Sequence, residues 1–150
     1  MKKAIIVVWS ILLIAIPTVA AEGVVDIQSA FTVKETTDRM VDILNKKGMT
    51  IFARIKHSES AAKVGIKIRN TELIIFGNPK VGSPLMACEQ SVAIDLPQKA
   101  LIWEDANDHV WISYNDPRYL EKKHNITGCE GAIVKIENAL SKMTKAAATE

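Results

Sequence analysis

The amino-acid sequence predicts an α+β domain delivered out of the cytoplasm. Three observations carry that reading. The chain opens with a basic then apolar segment ending in small residues, its body alternates stretches of two-residue and 3.6-residue apolar period, and no linker or low-complexity tract divides that body. Met1-Lys2-Lys3 is followed by an apolar run from Ala4 to Ile16, well short of the ~20 residues that cross a bilayer. Pro17 interrupts the run, and Val19-Ala20-Ala21 offers slim residues where a signal peptidase cuts. Residues 1-21 are therefore expected to be a signal peptide and residues 22-150 one mature domain, periplasmic or secreted, with no membrane attachment after cleavage. Loss of Lys2 and Lys3 takes the formal net charge from +2 to zero. A neutral body has no field to collect a phosphate backbone, which argues against nucleic acid as a partner.

Residues 22–30 show no clear period and read as a lead-in, and Phe31 to Glu35 alternates as a first strand. A helix follows, capped by Thr36 or Thr37, with Met40, Ile43 and Leu44 on one stripe and Gly48 as its stop. Met49 to Lys56 reads as a strand with Ile51, Ala53 and Ile55 on one face and Phe52, Arg54 and Lys56 on the other. Ser58 to Gly65 suits a short helix, and the apolar run Leu73 to Phe76 suits a central strand. Gly77 to Gly82 has the composition of a loop, and Ser83-Pro84 the form of an N-cap followed by proline. The helix expected from there places Cys88 on a buried stripe with Leu85 and Val92.

Two strands, Lys99 to Asp105 and His109 to Asn115, form a hairpin around Ala106-Asn107. An even-length turn there pairs Glu104 with His109 and Ile102 with Trp111. It leaves Leu101, Trp103, Val110, Ile112 and Tyr114 as an apolar face for helices, with Glu104, His109, Trp111 and Ser113 on the other. Asp116-Pro117 starts a short helix, and Cys129 to Lys145 forms the last one on Ile133, Ile136, Leu140 and Met143, with Ala146 to Glu150 fraying.

Ala53-Arg54-Ile55-Lys56-His57, Thr71 through Lys80, Asp95-Leu96-Pro97, and Trp103-Glu104-Asp105 leading to Ser113-Tyr114-Asn115-Asp116-Pro117 together resemble the domain-of-unknown-function 302 family across nearly the whole mature domain. The resemblance implies a two-layer β-α-β4-α arrangement similar to the TATA-binding-protein-like fold, with helices on one face of a curved sheet. It implies no activity, and fold alone assigns none.

The residues carry few chemical signals. His57 ends a strand, where an imidazole can accept a proton, bind a ligand or cap backbone groups. Asn78 sits in the glycine- and proline-marked loop, which lacks the lysine-hydroxyl ending of a phosphate loop. Cys88 and Cys129 are a candidate disulfide, since an even cysteine count outside the cytoplasm allows one. Scattered His57, His124 and cysteines form no spaced metal motif, so no cofactor is expected. The second sheet face, mixing Phe52, Ile102 and Trp111 with Arg54, Glu104, His109 and Ser113, is the candidate contact surface, because aromatic and arginine side chains gather where partners bind. The sequence thus favours a non-catalytic binding module, a homodimer or one that takes an unidentified small ligand or protein, with His57, Asn78, Glu104, His109 and Trp111 as candidate ligand-binding residues. The alternative is a small metal-handling or thiol- and histidine-dependent enzyme using His57 and the Asn78-Pro79 loop.

Overall fold

The computed structural model describes residues 21–150, so the expected signal segment, all but its last residue, lies outside the described residues. Five strands, β1 (Val24–Ser29), β2 (Thr50–Lys56), β3 (Thr71–Gly77), β4 (Gln98–Glu104) and β5 (Val110–Asn115), form an antiparallel sheet in the order β1-β5-β4-β3-β2. Two long helices, α1 (Val33–Lys46) and α5 (Glu130–Ala148), pack on each other and on the sheet. The connections carry α2 (His57–Lys63), α3 (Pro79–Cys88), a 3-10 turn (Gln90–Ile94) and α4 (Pro117–Lys123). With those short pieces set aside the order is β-α-β4-α, an α+β domain with an open sheet and its helices on one face.

The first strand lies earlier than alternation suggests. Val24–Ser29 pairs with β5, from Val24 opposite Asn115 to Ser29 opposite Val110, while Phe31 to Glu35 leads into α1. The cause is Thr32. Its hydroxyl accepts from the Glu35 amide at 3.3 Å and the Glu35 carboxylate accepts from the Thr32 amide at 3.2 Å, a reciprocal capping box that satisfies two backbone donors. Thr36 and Thr37, expected as caps, are instead buried inside the helix, where Thr37 Oγ1 donates to the Val33 carbonyl at 2.8 Å. Met40 and Leu44 form the buried stripe, and Gly48 takes the left-handed φ of 66° that lets the chain turn into β2.

The hairpin register differs from the even-turn expectation by one residue. Five residues, Asp105 to His109, separate the paired positions; the Asp105 amide donates to the His109 carbonyl at 2.8 Å and Asp108 takes a left-handed φ of 62°. Ile102 therefore pairs with Ile112, Trp103 with Trp111 and Glu104 with Val110. Because side chains alternate with a period of two, this slip turns every β4 residue over. Ile102 and Glu104 join the helix side, and Leu101 and Trp103 leave it.

A β-bulge makes a similar correction in β2. Ile51 pairs with Phe76 and Ala53 with Ile75, leaving Phe52 as the extra residue. Ile51 and Arg54 consequently face the helices, whereas Ala53 and Ile55 face away. The core between sheet and helices contains Ile74, Phe76, Ala100, Ile102 and Ile112 from the strands, Met40 and Leu44 from α1, and Ile133, Ile136, Leu140 and Met143 from α5.

Two further expectations change. The helix after β3 starts at Pro79, with the Asn78 side chain accepting from the Lys80 amide, so Ser83 and Pro84 lie within it and Cys88 is exposed at its end instead of on a buried stripe. At the C-terminus, Ala147 and Ala148 are fully buried where fraying is expected. Arg39 explains this: its Nε donates to the Ala147 carbonyl at 3.0 Å and its Nη2 to that of Ala146 at 3.2 Å, closing carbonyls that the helix end leaves free.

Candidate functional site

The register determines what the uncovered sheet face carries. Leu73 and Ile75 of β3, Leu101 and Trp103 of β4, and Trp111 and Ser113 of β5 share it with Ala53 and Ile55 of β2. Apart from Ser113, each is only half-buried in the single chain. Trp103 and Trp111 are direct cross-strand partners, and both indole N–H groups are satisfied within the face: Trp103 Nε1 donates to Ser113 Oγ at 2.7 Å and Trp111 Nε1 to Asp105 Oδ2 at 2.9 Å. The Trp111 bond, helped by the amides of His109 and Asn107, holds the Asp105 carboxyl below the usual carboxylate range. The rings are thus pinned by their polar edges and present apolar surface outward.

Glu104 and His109 belong elsewhere. They line a polar cleft of about 800 Å³ beside the N-terminal end of α1, together with Lys34, Arg54 and Glu72. Arg54 organises it. Both nitrogens of its fork engage Glu72, the second from Nη2 to Oε2 at 3.2 Å, while Nη1 donates to Asp38 Oδ1 at 2.9 Å. The Lys34 bond, joined by that of Arg54, keeps the Asp38 carboxyl low, and the bond to Glu72 raises the Arg54 guanidinium above its ordinary value. Among the described residues every buried side-chain nitrogen and oxygen has a partner, so this network is closed on itself and offers a ligand no unspent buried group.

The remaining candidates are dispersed. His57 is exposed at the start of α2 and borders neither this cleft nor the apolar cavity described next. Asn78 spends both ends of its amide on the chain, accepting from Lys80 and donating from Nδ2 to the Gly48 carbonyl at 3.2 Å. Cys88 and Cys129 approach with their Cα atoms 6.5 Å apart, inside the range a disulfide spans, between the end of α3 and the start of α5. No group of three or more histidine, cysteine, aspartate or glutamate side chains among the described residues is placed to hold a metal ion. An apolar cavity of about 380 Å³ opens between the ends of β3 and β4, α3 and α5.

One constellation has no signal in the sequence, because His124 lies some thirty residues from Ser91 and Asp95. Ser91 Oγ lies 2.9 Å from His124 Nδ1, and His124 Nε2 lies 2.5 Å from Asp95 Oδ2, which also accepts from Lys123 Nζ at 2.9 Å. The order of contacts is that of an acyl-transfer relay. The backbone decides against it: the Ser91 amide donates to the Glu89 carboxylate at 2.9 Å and the Val92 amide to the Glu89 carbonyl at 3.3 Å, so the donors nearest the hydroxyl are not free to hold an oxyanion. The chain is a pin between the 3-10 turn and the C-terminal end of α4. Burial works to raise the Asp95 carboxyl, but the bonds from His124 and Lys123 outweigh it and leave that group below its ordinary value.

The family described as "Domain of unknown function DUF302" matches residues 25–146. Among curated proteins, the chain is similar to a protein named fluoride-specific ion channel FluC 1 of Brucella suis biovar 1, 39% identical over 104 residues, which are 69% of this chain and 41% of that protein. It is likewise 39% identical over 104 residues to fluoride-specific ion channel FluC 2 of Brucella melitensis biotype 1, covering 69% of this chain and 38% of that one. The chain therefore spans about two-fifths of the length of the curated relatives it matches, and among its described residues no helix is long and apolar enough to cross a membrane. The crystal structure of an uncharacterized conserved protein DUF302 from Bacillus stearothermophilus superposes with a TM-score of 0.76 at 17% identity, covering 85% of this chain and 99% of that one, a likeness of fold.

Proposed function

The chain belongs to the domain of unknown function DUF302 family, and on that premise we propose that it is an exported, non-catalytic binding module that pairs with a second copy of itself through the open face of its sheet. The observation that carries the proposal is the apolar patch of Ile55, Leu73, Ile75, Leu101, Trp103 and Trp111, which no helix covers. Contiguous apolar surface with fixed aromatic rings is the composition of an interface core. A two-fold axis through the sheet would set the patch against itself, the closed symmetry most homodimers use. Of the candidate ligand-binding residues, Trp111 alone lies on this face. In the Brucella relatives the matching stretch is only part of each longer protein. The fluoride channel activity in their names is said of those proteins.

The same reading includes the TATA-binding-protein-like curvature of the sheet, cleavage of residues 1-21, a periplasmic or secreted destination, no cofactor, and a Cys88–Cys129 disulfide formed on export. Closing a loop of that length would stabilise the domain by about 4 kcal/mol in the chain-entropy account.

The test is native mass spectrometry with sedimentation velocity on the exported protein, purified without reductant or chelator. A bare dimer, two hydrogens light per chain, that becomes monomeric in Leu101→Lys with unchanged circular dichroism is the expected result. A monomer at every concentration, or a dimer indifferent to Leu101→Lys, would overturn the proposal. Turnover of any substrate that vanishes in His57→Ala would replace it with the enzyme alternative.

A further inference from the structure

We propose that the apolar cavity on the helix side of the sheet is a binding site for a single hydrocarbon tail, of the kind carried by a medium-chain fatty acid. Its volume of about 380 Å³ sits at the lower end of ligand pockets. By comparison with the ~150 Å³ cavity that holds benzene, it has room for roughly ten to fifteen carbon atoms. Phe76, Leu140 and Met143 line its inner side with only 1%, 2% and 3% of their surface exposed, so it is a half-open groove lying against the core and walled chiefly by Met49, Phe52, Val81, Met86 and Leu96.

The lining selects against polar occupants. It contains no charged side chain, its polar members are Asn78, Ser83 and Gln98, and Asn78 is already spent on Gly48 and Lys80. Pro79 and Pro97 contribute no amide. A peptide strand or a phosphate entering there would surrender hydration without partners, whereas a hydrocarbon chain loses nothing. Met49, Met86 and Met143 suit a tail of no fixed shape, because their unbranched thioethers repack around whatever enters.

An aromatic side chain marks the mouth. The bulge in β2 makes Phe52 the unpaired residue, and it stands at the cavity rim, 55% exposed. The ring lies over Gly77, where an added Cβ would meet Phe52 Cε2 at 3.4 Å, an ordinary van der Waals contact. Bulges are common at sheet edges, where β2 lies, and beside active sites, where they re-aim one side chain. The carboxylate of a fatty acid would remain in water outside the mouth, so recognition rests on the tail.

The experiment titrates the exported, mature protein with N-phenyl-1-naphthylamine, following its fluorescence, and then displaces it with dodecanoic acid and with dodecanol. Saturation at one probe per chain, with both displacers equally effective, is expected. Ala93→Trp, on an exposed position of the 3-10 turn at the rim, should weaken probe binding by about tenfold with an unchanged melting curve, and Phe52→Ser should weaken it by about threefold. Leu101→Lys, which acts on the opposite face, should leave it intact even where the dimer is lost. No probe binding by the unaltered protein, dodecanoic acid displacing where dodecanol does not, or binding lost in Leu101→Lys but retained in both rim variants would overturn the assignment.

Discussion

Ile102 and Trp103 are chain neighbours of similar apolar character, yet Ile102 is fully buried beneath the helices and Trp103 lies half-buried on the open side. The same holds across the sheet. Ile74 and Phe76 are buried, while Leu73 and Ile75, alternating with them, are only half-buried. Hydrophobicity does not separate the two faces; helical cover does. The covered face uses its side chains for stability, and the open face keeps an equally apolar set available to something outside the monomer.

The largest test of that contrast compares neighbours. Ile102→Ala should cost about 3 kcal/mol in urea denaturation, a transfer loss plus a cavity in a site packed on all sides. Leu101→Ala, one residue earlier, should cost less than about 1 kcal/mol at concentrations where the protein is monomeric. Equal losses would mean that the open face is covered within the chain after all.

A smaller effect concerns charge. Arg54→Gln leaves Glu72, on the covered side, without its cation, and should destabilise the protein by about 2 kcal/mol; this is below the usual loss for a severed buried pair because Arg54 keeps 32% of its side chain in water. Asp26→Asn, on the open face of β1, should change stability by less than about 0.5 kcal/mol. Chemical denaturation of both variants reads the difference directly.

The smallest concerns acid. Asp105 titrates below 3.8 in the folded protein because Trp111 Nε1 and the His109 and Asn107 amides bond its charged form. A depressed folded pKa means that its contribution is complete above the unfolded value of 3.8 and is lost as pH falls through that value toward the folded one. Trp111 fluorescence should therefore change along with stability at the acid end, and Asp105→Asn should remove that limb of the profile. Persistence of the limb in Asp105→Asn would assign it to another carboxylate, such as Asp95.

Much of the architecture was legible in the residues. The final helix was readable because Ile133, Ile136, Leu140 and Met143 recur at helical spacing, and α4 because Asp116 and Pro117 form a cap and first turn. The first strand is not legible there because Phe31 and Val33 alternate like a strand, while the Thr32–Glu35 capping box that overrides them is a matter of hydrogen-bond closure. The candidate surface was half legible. Alternation alone puts Trp111 and Ser113 on one face, as in the structure, but it puts Trp103 and Leu101 on the opposite face to the one they occupy, and Arg54, Glu104 and His109 line a self-satisfied polar cleft.

Composition, local periodicity and capping chemistry by themselves determined the class of fold, the order of most elements and the absence of a spaced catalytic or metal motif, because each depends on residues within a few positions of one another. Register, facing and the meeting of distant groups were decided only in three dimensions. A turn one residue longer and a single bulge reverse which side chains a sheet shows to its helices, and no local pattern measures either. The open aromatic face and the placing of Phe52 at the cavity rim follow from those two one-residue shifts.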